Sequence, residues 1–122
     1  MQRLTEARLE ELAPEVIRPG YDRAALRPGI VHIGIGAFHR AHMAAYVDAT
    51  LAADPNWAII GASLRRPDTR NALAPQDCLY SLHIRDGEGT KVRVIGAITD
   101  IIDASGDSGP LLDLIAGPEI RI

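Results

Sequence analysis

Residues 30–42 read Ile30-Val31-His32-Ile33-Gly34-Ile35-Gly36-Ala37-Phe38-His39-Arg40-Ala41-His42. The run Ile30 to Ile35 is apolar on both faces of a period-two pattern except at His32, which predicts a buried parallel strand. Gly34 and Gly36 end it. A helix is expected from about Phe38 to Ala53, because Ala44, Val47 and Leu51 recur at three- and four-residue spacing. The flanking Ala41 and Ala45 are small enough to let that helix lie close to a sheet. Asp54-Pro55-Asn56 stops it, and Trp57 to Ala62 gives a second strand, again apolar on both faces. Ile30 to Ala62 is therefore one βαβ unit, and the fold class is α/β.

Upstream, Thr5 is placed to cap a short helix through about Leu12, and Pro14 and Pro19-Gly20 lead into a connector. Downstream, Arg65 to Asp77 is polar, with one or two helical turns. Leu79 to Arg85 alternates, with Tyr80, Leu82 and Ile84 on one face, and Asp86-Gly87-Glu88-Gly89 is a turn. Lys91 to Ile98 reads as the return strand, which puts a β-hairpin with one wet face after the βαβ unit. Three aspartates and two glycines make Asp100 to Gly109 a loop. Pro110 stands at a first helical position, Leu111, Leu112, Leu114 and Ile115 form a short amphipathic helix, and Gly117-Pro118 ends it. Ile120-Arg121-Ile122 has the look of a strand just beginning.

A strand, then Gly34-x-Gly36, then a helix is the context that separates a dinucleotide fingerprint from a chance match. Gly34 permits the tight turn. Gly36 has no side chain, so a pyrophosphate can approach the backbone. The N–H groups near Ala37 to Arg40 open the helix and favour negative charge. The candidate phosphate-binding residues are therefore Gly34, Ile35, Gly36, Ala37, Phe38, His39 and Arg40. His39 stands where the generic pattern has its third glycine. An ordinary strand–helix turn, with the glycines serving geometry alone, stays open on these residues. His39 and His42 are three apart, but no carboxylate or third histidine lies at ligand spacing, so no metal site is expected. Cys78 reads as an inert buried thiol beside Asp77, which raises its pKa.

The chain has 122 residues, a net charge of −3 and 47% hydrophobic residues, about one small domain. That balance offers no electrostatic reason to bind nucleic acid or a membrane surface. No stretch approaches the ~20 apolar residues of a membrane span. Met1 to Leu12 lacks the apolar core of a secretion signal. One cysteine allows no internal disulfide, and a reducing cytoplasm fits.

The quoted stretch resembles the N-terminal signature of the mannitol dehydrogenase family, Gly-x-Gly-x-Phe-His-Arg-Ala-His, in which His39 at the third position is expected. Trp57 through Arg65 resembles the family's second strand. Ala74-Pro75-Gln76-Asp77-Cys78-Leu79-Tyr80-Ser81-Leu82 is similar to a Gln-Asp-x-Leu-Tyr segment that often has glycine where Cys78 stands. Val92 to Gly96 and Pro118 to Ile122 match later strands. The resemblance runs through nearly the whole chain, in order.

It implies a Rossmann-like domain that binds NAD, sometimes NADP, followed by a mostly helical domain that supplies a catalytic lysine, an asparagine and a histidine. None of those positions maps onto residues 1–122, which would be the N-terminal, incomplete part of the cofactor domain. The implied reaction passes hydride between the nicotinamide and the CH–OH carbon of a sugar alcohol or sugar acid, of the mannitol/fructose or mannonate/fructuronate type. Arg65 and Asp68, at the end of the second strand, are candidates for the adenosine ribose: Asp68 aligns with an acidic family position, and arginine can pair with a 2′-phosphate. A stand-alone nucleotide-binding module without catalysis would use the same glycine turn.

Overall fold

The structure is a computed structural model and describes residues 2–122. Three strands, β1 (Pro28–Ile33), β2 (Ala58–Ser63) and β5 (Ile98–Asp103), form a parallel sheet in the order β1-β2-β5. Between β2 and β5 the chain makes an antiparallel hairpin, β3 (Tyr80–Asp86) with β4 (Gly89–Ile95). The helices are α1 (Ala37–Ala41), α2 (Met43–Asp48), α3 (Asp68–Leu73) and α4 (Gly109–Ala116), and Glu6–Glu11 is a 3-10 helix. This is the expected α/β architecture, a partial Rossmann-like sheet with a hairpin after the first βαβ unit.

β2 is central and all six of its residues are buried, which explains its apolar sequence on both faces. On one face of the sheet Ile30, Ile59, Ile98 and Ile101 pack with Ala44, Ala45 and Leu51 from the helical layer and with Tyr80 and Ile95 from the hairpin. On the other, Leu111 of α4 joins Ala62 and Ala104. Pro110 sits in the first turn of α4 as expected, while Leu112 and Ile115 face solvent.

Six expectations need correcting. The helix from Phe38 to Ala53 is broken at His42, which leaves helical geometry (φ −119°, ψ −82°) and ends α1. The His42 Nδ1–H donates to the Phe38 carbonyl at 2.8 Å, a side chain competing with the backbone ladder. Thr5 precedes the N-terminal 3-10 helix but makes no side-chain capping bond. The return strand ends at Ile95 and not at Ile98: Gly96 and Ala97 form a junction, held by Arg23 donating to the carbonyls of Gly96 (3.2 Å) and Ile98 (3.0 Å). Asp100 to Asp103 lies in β5 and not in a loop. Its aspartates are tolerated because β5 is an outer strand and Asp100 and Asp103 point to solvent. Finally, β1 is also an outer strand, so Ile33 is 53% exposed and His32 half-buried. Residues 120–122 do not form a strand, but the Arg121 N–H donates to the Gly29 carbonyl and the Val31 N–H to the Ile122 carbonyl, each at 2.8 Å.

Candidate dinucleotide-binding site

The carboxyl ends of the three parallel strands finish in one layer. Register places Ile33 opposite Ala62 and Ser63 opposite Asp103. The bonding continues past the strand ends, with Gly34 N–H to Ala62 carbonyl and Ala104 N–H to Ser63 carbonyl, both 2.8 Å. In open α/β sheets the crevice outside these ends is where ligands sit. Gly34-Ile35-Gly36 leaves β1 at that edge, and Ser63-Leu64-Arg65-Arg66 leaves β2 beside it.

The two glycines do different work. Gly34 has φ +93°, a conformation other residues rarely adopt. Gly36 has an ordinary extended backbone, φ −68°, and a Cβ built on it meets nothing within 4 Å. The space over Gly36 is thus open, as the approach of a pyrophosphate requires. Ile35 between them is buried, and its side chain lies over Gly61 of β2, where an added Cβ would stand 2.3 Å from the Ile35 Cγ2. Gly61 therefore seats the turn on the sheet, a role its place in an apolar strand did not announce.

The first intrahelical bond of α1 runs from the Arg40 N–H to the Gly36 carbonyl at 3.1 Å. The amides of Ala37, Phe38 and His39 precede it, whereas that of Arg40 is already used. The Arg40 guanidinium lies 5.8 Å over the Tyr80 ring, its Nε is buried without a partner among the described residues, and the Tyr80 hydroxyl donates to the Arg40 carbonyl at 2.6 Å. Arg40 thus joins α1 to the hairpin through its side chain and its carbonyl. Burial raises the Tyr80 phenol above its ordinary value and keeps it a hydrogen-bond donor. Phe38, 79% exposed, stacks on His42 at 4.2 Å, and its side chain faces solvent.

His39 is 6% exposed and stacks on His32 of β1, with ring centroids 3.6 Å apart. Neither ring nitrogen has a hydrogen-bond partner among the described residues. Burial, with His32 and Arg40 adding to it, lowers its pKa to about 4. The folded chain holds His39 neutral while the unfolded chain takes up a proton below about pH 6.5. Stability is therefore fully present above that pH and falls as pH drops towards 4, by on the order of 1 kcal/mol per unit. Urea denaturation between pH 7.5 and 4.5 should show this fall, and His39→Phe should flatten it; an equally steep fall in the variant would mean that other groups carry it.

At the second strand's end, Arg65 and Arg66 are exposed, and Asp68 is exposed in the first turn of α3. Arg70 ties α3 to the sheet by donating from Nε to the Ile101 carbonyl at 3.1 Å, which sets where Asp68 stands. His39 and His42 turn to different neighbours, and among the described residues no three His, Cys, Asp or Glu side chains gather as a metal site. Cys78 is buried at φ +60°, a left-handed position. Burial first, then Asp100 and Asp77, raise its thiol. Among the described residues no helix is long and apolar enough to cross a membrane.

One buried polar group escaped the sequence reading. Asp48, at the end of α2, accepts from the Tyr21 hydroxyl, from Arg93 of β4 at 2.6 Å and from the Gly96 N–H at 2.8 Å. Burial and the Asp48 carboxylate together raise the Tyr21 phenol.

Residues 28–122 match the mannitol dehydrogenase Rossmann domain. A mannitol 2-dehydrogenase of Cereibacter sphaeroides is 45% identical over 111 residues, 88% of this chain and 23% of that protein. The polyol:NADP oxidoreductase of Gluconobacter oxydans is 41% identical over 98% of this chain and 26% of its own length. Pseudomonas fluorescens mannitol 2-dehydrogenase, solved as a ternary complex with NAD and D-mannitol, superposes with a TM-score of 0.91 at 45% identity, over 98% of this chain and 25% of that one. The chain thus spans about a quarter of the length of the relatives it matches. With that domain matched over most of its residues, the chain belongs to the mannitol dehydrogenase family.

Proposed function

We propose that this chain is the N-terminal, dinucleotide-binding part of an NAD-dependent dehydrogenase that acts on the CH–OH group of a sugar alcohol or sugar acid. The observation that carries the reading is the open space over Gly36 at the carboxyl edge of the parallel sheet, directly after a positive-φ Gly34. The similarity to a mannitol 2-dehydrogenase solved with NAD and D-mannitol supports the cofactor and the substrate class. Mannitol/fructose and mannonate/fructuronate pairs are both within that class. The nicotinamide, when bound, supplies the hydride chemistry. The residues of this chain would hold the phosphates over Gly34 to His39 and the adenosine ribose near Asp68.

Coenzyme choice follows from the second-strand end. Asp68 repels a 2′-phosphate, whereas exposed Arg65 and Arg66 attract it. The expected outcome is a preference for NAD with measurable NADP use, read as the ratio of dissociation constants for the two. A strong NADP preference would mean that the arginines dominate.

The 122-residue chain is expected to show no turnover by itself. A positioned acid/base contributes about 10²–10⁴-fold to such a reaction. Here His39 and Tyr80 are buried, the only lysine, Lys91, is on the hairpin, and no Tyr-x-x-x-Lys pair occurs. The assay is NAD or NADH with mannitol, fructose, arabinitol, mannonate and fructuronate, followed at the nicotinamide absorbance. Turnover by the purified chain would place the catalytic groups within it. Dinucleotide binding by a longer protein that turns over no polyol or uronate would favour a non-catalytic nucleotide module.

A further inference from the structure

The geometry points to His39 as a positioning residue for the glycine turn: its ring, stacked on His32, takes over the spacing role that glycine has in the generic fingerprint. The inference rests on the reading of that turn as a dinucleotide site. In the generic pattern the third glycine lets the helix close directly on the strand. Here a buried imidazole fills that contact instead, 3.6 Å from the His32 ring and inclined to it by 18°. His32 in turn donates from Nδ1–H to the Gly34 carbonyl at 2.5 Å, so the strand, the turn and the first turn of α1 are joined through the two rings.

What His39 contributes is its face. Both of its nitrogens are buried and unpartnered among the described residues, so the ring holds nothing by hydrogen bonding. Burial keeps it neutral near pH 7, which suits an apolar contact beside Arg40. A phenyl ring should therefore serve in its place, and a glycine, although it restores the generic sequence, should not.

The test uses the 122-residue chain with NADH as the probe at pH 7.5, by calorimetry, together with amide hydrogen exchange without ligand at Gly34, whose N–H is bonded to the Ala62 carbonyl. His39→Gly is expected to bind NADH about tenfold more weakly, the scale of one lost aromatic contact, and to exchange faster at Gly34. His39→Phe should stay within about threefold of the parent and exchange as slowly. Should His39→Gly fail to fold by circular dichroism, His32→Leu replaces it with the same expectation, since it removes both the stack and the bond to Gly34. If the parent chain binds no NADH, the calorimetry moves to the longer protein that carries it; no binding there would defeat the functional reading, and the exchange rates would then decide the positioning role alone. The inference is overturned if His39→Gly matches the parent in affinity and exchange, or if His39→Phe is as impaired as His39→Gly.

Discussion

Gly36→Val should leave the fold intact and remove dinucleotide binding. The valine side chain starts from a Cβ with nothing within 4 Å, and the backbone there is extended, so the protein itself offers neither clash nor strain. What the side chain would occupy is the space a pyrophosphate needs to reach the amides of Ala37 to His39. The expected loss is at least on the order of 100-fold in affinity for NAD or NADH, equivalent to ~3 kcal/mol, with a melting temperature close to the parent's. Gly34→Val gives the contrasting result: position 34 sits at φ +93°, so that variant loses stability, by about 1–2 kcal/mol, as well as cofactor. Calorimetric titration beside thermal melts separates the two. A folded Gly36→Val chain with parental affinity would remove the phosphates from this turn.

Asp48→Ala should give a large loss of stability through a single buried carboxylate. The Asp48 side chain is 2% exposed and carries three donors from three parts of the chain. Truncation strands the buried Gly96 N–H and the Tyr21 hydroxyl. Breaking a buried ion pair by removing one partner costs about 3–5 kcal/mol. The Arg93 side chain is 24% exposed and recovers some hydration, so the lower end, about 3 kcal/mol, is expected. That corresponds to a fall of roughly 10 °C in melting temperature. Asp48→Asn keeps an acceptor for Gly96 and should lose less. A melting temperature within about 2 °C of the parent in Asp48→Ala would show that the three donors find other partners.

The parts of the fold that were legible in the sequence are those whose signal is local. β1, its two glycines and β2 declare themselves by apolar runs and punctuation, and Pro110 marks the start of α4. β5 was not legible, because Asp100 and Asp103 read as loop chemistry until one knows that this strand lies at the sheet's edge. The break at His42 depends on an imidazole that bonds the Phe38 carbonyl, which hydrophobic periodicity does not register. At the site, Gly34 and Gly36 could be assigned separate roles from the pattern, whereas the burial of His39 depends on its stacking on His32, and the turning of Arg40 toward Tyr80 depends on a hairpin forty residues away. Asp48 is the extreme case: its partners lie 27, 45 and 48 positions away, and nothing at position 48 announces them.

The central claim is that dinucleotide phosphates rest on the turn from Gly34 to His39. Amide chemical shifts of the isotope-labelled chain, followed during titration with NAD, address it residue by residue. The account predicts that the amides of residues 34–39 move most, that those of 63–68 move with them, and that the hairpin between Tyr80 and Ile95 stays where it was. Saturable shifts confined to other surfaces, with residues 34–39 unmoved, would contradict it.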